Sequence, residues 1–254
     1  MSISASEIII VSDLQALSRA AADLFFERVN AVLKTKPFFT VVLSGGSTPK
    51  DLYTLLASDP GIKDNIGWEK VHFFWGDERH VPTDHPQNNF RMAQAAMLSA
   101  LPLPPENLHR IPSEEADARK AARRYEQELA HFFQLKDEQY PRFDLIYLGL
   151  GADGHTASLF PQSAALTEAK RLVTASWVEK FQAHRITMTP PVLNHAECII
   201  FLVSGAGKAE ALKQVLEGAD QIPLLPAQLI QPLQGKLYWI IDRAAAKYLD
   251  LASK

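Results

Sequence analysis

The stretch "FFTVVLSGGSTPKDLYTLLAS", residues 38–58, joins a short apolar run to a glycine turn and then to apolar residues at helical spacing. The run carries no polar alternation and suits a buried strand. Two glycines turn the chain, after which Thr48 with Asp51, and Pro49 at the first helical position, announce a helix. The same order recurs. "EIIIV" (7–11) precedes a helical pattern over 12–33 that Ser12 and Gln15 open as a capping box. "VHFFW" (71–75) leads through the polar stretch 76–90 to a helix over 91–98, and a helix over 114–134 leads into "FDLIYLGL" (143–150). The last third adds strands over 171–178, 185–189, 197–205 and 236–242, with a helix over 208–218. Such alternation predicts an α/β fold, a doubly wound and mostly parallel sheet whose ligands gather at the carboxyl ends of its strands.

Strand and helix signals resume on both sides of "LPLPPENLHRIP" (101–112), so this proline-bearing stretch is expected to be a long surface connection. Residues 1–254 are accordingly expected to form a single domain, with room for a small lobe. A hydrophobic content of 47% beside 22% charged residues excludes a disordered chain. The net charge of −3 gives no global attraction for nucleic acid or an acidic membrane, so any anionic ligand has to be met by a local cluster of cations. Cys198, the single cysteine, lies in "CIIFLV" and is expected to be a buried small hydrophobe. The polar start "MSISASE" and the lack of an apolar run near roughly 18 residues lead to the expectation of a cytoplasmic protein.

Five stretches carry candidate chemistry. In "LSGGSTPKDLY", Gly45 and Gly46 allow close backbone approach, Ser44, Ser47 and Thr48 supply hydroxyls, and a helix N-terminus follows. This is a phosphate seat or an ordinary capped turn, and it does not match a Walker A loop. "FFWGDERHVPTDHPQNNFRMA" crowds Asp77, Glu78, Arg79, His80, Asp84, His85, Asn88 and Asn89 behind a strand, as an active-site loop or a solvated one. Its spacings fit no standard zinc pattern. "GLGADGHTASLFP" satisfies G-x-G-x-x-G through Gly154, yet it runs at once into His155 and lacks the acidic residue that a dinucleotide site needs about 20 positions on. His155 is instead suited to act as a neutral general base, with Asp153 near enough to set its tautomer. Finally, His184 and Arg185 open a strand in "AHRITMTPPVLNHA", and Lys208 sits in the first turn of a helix in "LVSGAGKAEAL". A cation there opposes the helix dipole unless an anion lies between them.

Taken together, "LSGGSTP", "FFWGDERHVPTDHPQNNFRMA", "DLIYLGLGADGHTASLFP", "HRITMTPPVLNHA" and "SGAGKAEAL" resemble the motifs of the 6-phosphogluconolactonase family, in order and spacing, from about residue 40 to residue 215. The resemblance implies a Rossmann-like fold with a small accessory region, shared with glucosamine-6-phosphate deaminase and ribose-5-phosphate isomerase. It implies hydrolysis of 6-phospho-D-glucono-1,5-lactone, the second step of the oxidative pentose phosphate pathway, without cofactor or metal. Carried onto this chain, it makes His155 the activator of water and gives the phosphate to the SGGST turn with Arg185 and Lys208. Arg79 is the candidate for the developing oxyanion, and Asp77 is expected either to act on the sugar or to fix Arg79. Asn89 and His184 complete the expected binding set. Deaminases of this superfamily carry a glutamate five residues after the histidine; here that position is Phe160. The expected partner is a small-molecule sugar phosphate lactone, with the chain as a monomer or weak homodimer.

Overall fold

A computed structural model of the chain describes residues 6–250. In chain order the elements are β1 (Glu7–Val11), α1 (Leu14–Val32), β2 (Phe39–Leu43), α2 (Ser47–Ser58), α3 (Pro60–Lys63), β3 (Val71–Trp75) and β4 (Asp77–Arg79). They continue with α4 (Asn89–Ala96), β5 (Leu108–His109), α5 (Ala118–Phe132), β6 (Leu145–Gly149), β7 (Val173–Val178) and β8 (Ala183–Met188). The chain closes with α6 (Pro190–Asn194), β9 (Cys198–Val203), α7 (Ala209–Glu217) and β10 (Lys236–Asp242).

Seven strands form one sheet in the order β1-β10-β9-β6-β2-β3-β5, and every pairing in it is parallel. From β2 the chain builds outward through β3 to β5; it then returns to β6, beside β2, and builds the other way through β9 and β10. The order of strands therefore reverses between β2 and β6. Connections leaving these two neighbours diverge and open a crevice at their carboxyl ends, where an open α/β sheet binds its ligands. The accessory region is a separate antiparallel sheet, β4-β8-β7.

Adjacent residues of β3 show how both faces of the large sheet are covered. Phe73 points to a cluster in which Trp68 stacks between it and Phe25, while Phe25 meets Phe39 edge-on. Phe74 points the other way and stacks on His109 at 4.3 Å, with Phe132, Phe133 and Phe143 around it. Successive strand side chains alternate in direction, so two consecutive phenylalanines serve two cores. Cys198 is fully buried in β9, and burial pushes its thiol up to about 11.

Several local expectations are corrected. Asp13 caps α1, accepting from the Ala16 N–H at 2.9 Å, while Ser12 donates its hydroxyl to Asp13 in place of the expected capping box with Gln15. Helix α2 begins at Ser47, before Thr48, and Gly46 at its cap offers no side chain to the free N–H groups. Asp117 caps α5, which starts at Ala118 instead of near residue 114. The polar stretch after β3 is not all loop, because Asp77–Arg79 pairs with β8. The stretch 101–112 contains the edge strand β5. These elements are too short to carry a periodic pattern. No helix among the described residues is long and apolar enough to cross a membrane.

Phe25 is 1% exposed and touches two aromatic neighbours. Phe25→Ala is expected to cost about 3–5 kcal/mol and lower the melting temperature by roughly 6–20 °C; an unchanged melting curve contradicts this packing.

Candidate active site

The reversal between β2 and β6 opens into a cavity of about 260 Å³. Its first wall is the turn after β2. Ser44, Gly45, Gly46, Ser47 and Thr48 all line it. Tyr53, in the second turn of α2, holds this bend from beneath: its hydroxyl accepts from the Ser44 N–H and donates to the Ser44 carbonyl, both at 3.0 Å. The Ser44 hydroxyl itself is buried without a partner, and the N–H groups at the start of α2 have no side-chain cap. Unpaired donors converging beside a helix N-terminus are suited to an anion. Gly45 is required by a close approach, since a Cβ there would lie 1.9 Å from Asn89 Oδ1.

Asn89 lines the cavity and is otherwise a tie: its side-chain amide donates to the Asp77 carbonyl at 3.0 Å. Asp77 and Arg79 line the cavity from β4. The expectation that Asp77 fixes Arg79 is not met. The Asp77 carboxylate takes the Ser158 hydroxyl at 2.6 Å, and Arg79 donates to the Gln87 carbonyl at 2.7 Å. Between them, buried Glu78 accepts the backbone N–H groups of Arg79, Asn89 and Phe90, which joins β4 to the start of α4. Burial pushes its carboxyl up to about 7 against the pull of these three donors. His80 Nε2 bonds the Glu115 carbonyl, and His85 Nδ1 accepts from the Gln87 N–H, so local structure occupies both histidines of this stretch.

The second main wall is the turn after β6. His155 lines the cavity, and its Nδ1–H donates to Asp153. This bond, together with one from Lys180, holds the Asp153 carboxyl well below the usual carboxylate range against the opposing effect of burial. Gly151 makes the arrangement possible: a Cβ there would fall 2.0 Å from the imidazole Nδ1. No helix begins at Gly154. The chain runs through turns to a 3-10 turn at Ala164–Thr167, so the helix of a dinucleotide fingerprint is missing.

Lys208 closes the cavity from the start of α7, where no described carboxylate pairs with it. Three predicted residues stand behind the wall. Asp153 reaches the cavity through His155. Arg185 lies opposite Arg79 in the strand pairing and covers the Phe181 ring at 4.9 Å. Burial lowers its guanidinium from the usual value, and Arg79 adds to that effect. His184, next along the strand, packs between Trp177 and His80, away from the cavity lining.

With this geometry in view, residues 12–239 match the family model described as glucosamine-6-phosphate isomerases/6-phosphogluconolactonase. A 6-phosphogluconolactonase of Synechocystis sp. is 42% identical over 245 residues, 96% of this chain and 99% of that protein. The chain belongs to the glucosamine-6-phosphate isomerase/6-phosphogluconolactonase family. The solved 6-phosphogluconolactonase of Trypanosoma cruzi is 29% identical with a TM-score of 0.85, covering 98% of each chain. A monomeric glucosamine-6-phosphate deaminase, 21% identical with a TM-score of 0.79 over 96% of this chain and 100% of that one, shares the fold.

Phe160, five residues after His155, also belongs to this wall of the site. Its ring lies against the His155 imidazole at 4.3 Å and gives that imidazole a hydrocarbon neighbour. Sequence reasoning missed Ser204, which lines the cavity and donates to Asp242 at 2.5 Å. Asp242 also accepts the Gly205 N–H and so holds the turn before Lys208. The strand-Ser-Gly pattern shared by Ser44 and Ser204 was the available signal. Ser158 and Lys180 were also missed; each acts across many residues and leaves no local pattern.

Gly151→Ala is expected to leave the melting temperature close to that of the parent, because Gly151 has no positive φ, yet to expel the imidazole from its bond with Asp153. The deshielded Nδ1 proton of His155 should vanish from an imidazole ¹H–¹⁵N spectrum. Its persistence would refute the role assigned to this glycine.

Proposed function

We propose that this protein hydrolyses 6-phospho-D-glucono-1,5-lactone to 6-phospho-D-gluconate, with His155 as general base toward water and no covalent intermediate. The observation that carries the reading is one cavity in which an imidazole oriented at Nδ1 faces an anion seat of unpaired donors. Relatives of similar length bearing the name 6-phosphogluconolactonase support the choice of substrate.

The phosphate would sit at the start of α2, held by the N–H groups of the Gly46–Thr48 bend, the Ser44 hydroxyl and Lys208. Binding energy from this remote group serves to orient the reactive ring. With Nδ1–H committed to Asp153, the free lone pair is on Nε2, which takes a proton as water attacks the lactone carbon. Such proton transfer is typically worth about 10²–10⁴-fold in rate. Charge then develops on the carbonyl oxygen, a role for the Arg79 guanidinium that lines the cavity; one such contact is typically worth about 10²–10³-fold. Collapse of the tetrahedral species breaks the bond from the carbonyl carbon to the ring oxygen. The imidazolium returns its proton to that leaving oxygen, and the product is the open-chain acid. Asp77, with one oxygen held by Ser158, is suited to accept a sugar hydroxyl. Arg185 contributes positive charge from behind Arg79.

No described carboxylate pairs with Arg79 or Arg185, although the two face each other across the strand pair. Like charges placed opposite one another are destabilising, and an anionic substrate relieves this.

The test is hydrolysis of freshly generated lactone, corrected for spontaneous opening. Parent protein is expected to exceed background by orders of magnitude, and His155→Ala to lose about 10²–10⁴-fold in kcat while still binding 6-phosphogluconate. Lys208→Met should chiefly raise KM. A parent no faster than background removes the lactonase reading, and a fully active His155→Ala removes the base.

A further inference from the structure

The β7–β8 hairpin reaches the site from outside the large sheet, and two residues at its tip converge on the imidazole without lining the cavity. Lys180 donates to Asp153 Oδ2 at 2.9 Å, while the other carboxylate oxygen takes His155 Nδ1–H. Phe181 meets Phe160 edge-on at 5.6 Å, and Phe160 lies in turn against the His155 ring. Arg185 covers Phe181 from β8. The histidine is thus braced on two sides by one hairpin: through a carboxylate at its edge and through a ring at its face.

We propose that Lys180 is a positioning residue for His155, holding the plane of the Asp153 carboxylate that orients the imidazole and offsetting that carboxylate's charge. This rests on the general-base reading above. A carboxylate bonded through one oxygen is free to turn about its Cβ–Cγ bond, and a second tie from another element stops that rotation. The ammonium also opposes a second charge nearby. An unscreened Asp153 would favour the imidazolium, which is useless as a base.

The other charged groups around His155 leave this role to Lys180. Asp77 and Arg79 line the cavity from β4, and Lys208 lines it from the start of α7. Arg185 is turned to Phe181. Glu179, beside Lys180 in the turn, is engaged by the Trp177 indole N–H and the Gln182 amide.

The experiment compares kcat and KM against pH for the parent, Lys180→Met and Lys180→Arg at low salt. Removing the ammonium strengthens the pull of Asp153 on the imidazolium, so the acid limb of kcat in Lys180→Met is expected to move up by about half a pH unit. That size suits an ion pair whose lysine side chain is 62% exposed. KM should stay within about twofold, because Lys180 touches no cavity surface, and Lys180→Arg should restore the parental limb. Raising salt to about 0.5 M should move the parent toward the variant by screening. The ¹H NMR titration of the His155 Cε1 proton, assigned by its loss in His155→Gln, should shift by the same amount with no substrate present.

An unmoved acid limb and NMR midpoint in Lys180→Met, with His155→Ala inactive, overturn the proposal. A uniform loss of kcat at every pH with a lowered melting temperature also overturns it, by making the lysine merely structural. A fully active His155→Ala overturns instead the general-base reading on which it rests.

Discussion

Two parallel neighbours that part company set the terms for this molecule. Strands β2 and β6 are hydrogen-bonded side by side, yet the chain leaving each builds the sheet in opposite directions. No connection can cross the gap above them, so the polar ends of both turns face a crevice instead of a packed helix. The unpaired donors belong to one turn and the histidine to the other, and their meeting is a consequence of strand order. Residues 44–48 and 155 lie far apart in sequence but line one cavity because their strands are adjacent.

The small antiparallel sheet supplies what the crevice lacks. β4 follows β3 after a single glycine, which carries the chain out of the parallel sheet and aims Asp77 and Arg79 back over the opening. Three residues of strand are a weak support for two cavity-lining side chains. Glu78, buried and bonded to three backbone N–H groups, makes up the difference by joining β4 to the first turn of α4. A hydrogen bond to a charged group contributes about 1.5–3 kcal/mol, which offsets part of the desolvation that raises this carboxyl.

What could be read in the sequence was whatever physics acts within a few residues. Apolar runs gave every strand of the large sheet except two-residue β5, and glycine turns at their ends located the walls of the site. Family resemblance supplied the grouping of those turns before any coordinates. Competition between adjacent candidates was harder to read: Ser12 and Asp13 both suit a cap, and only the backbone geometry selects the aspartate. Contacts spanning long separations were invisible. Ser158 reaches Asp77 across 81 residues and Lys180 reaches Asp153 across 27, and nothing in either local sequence marks the partner. The expected tie from Asp77 to Arg79 failed for the same reason, since the carboxylate's partner, Ser158, lies far along the chain.

The glycine pattern around His155 shows why a motif has to be judged by what occupies the space it clears. In a dinucleotide fingerprint the glycines admit a pyrophosphate and let a helix pack closely against its strand. Here the middle glycine, Gly151, admits an imidazole from its own loop, folded back so closely that any side chain would strike it. The last glycine, Gly154, adopts φ 76 and turns the chain away from a helix, with its carbonyl accepting the Ala227 N–H. Of the three glycines that would expose backbone to a cofactor, Gly151 instead makes room for a side chain of its own loop. With that backbone cleared for a ring that the chain itself supplies, the uncapped helix start that lines the cavity is that of α2, and Gly154 opens none.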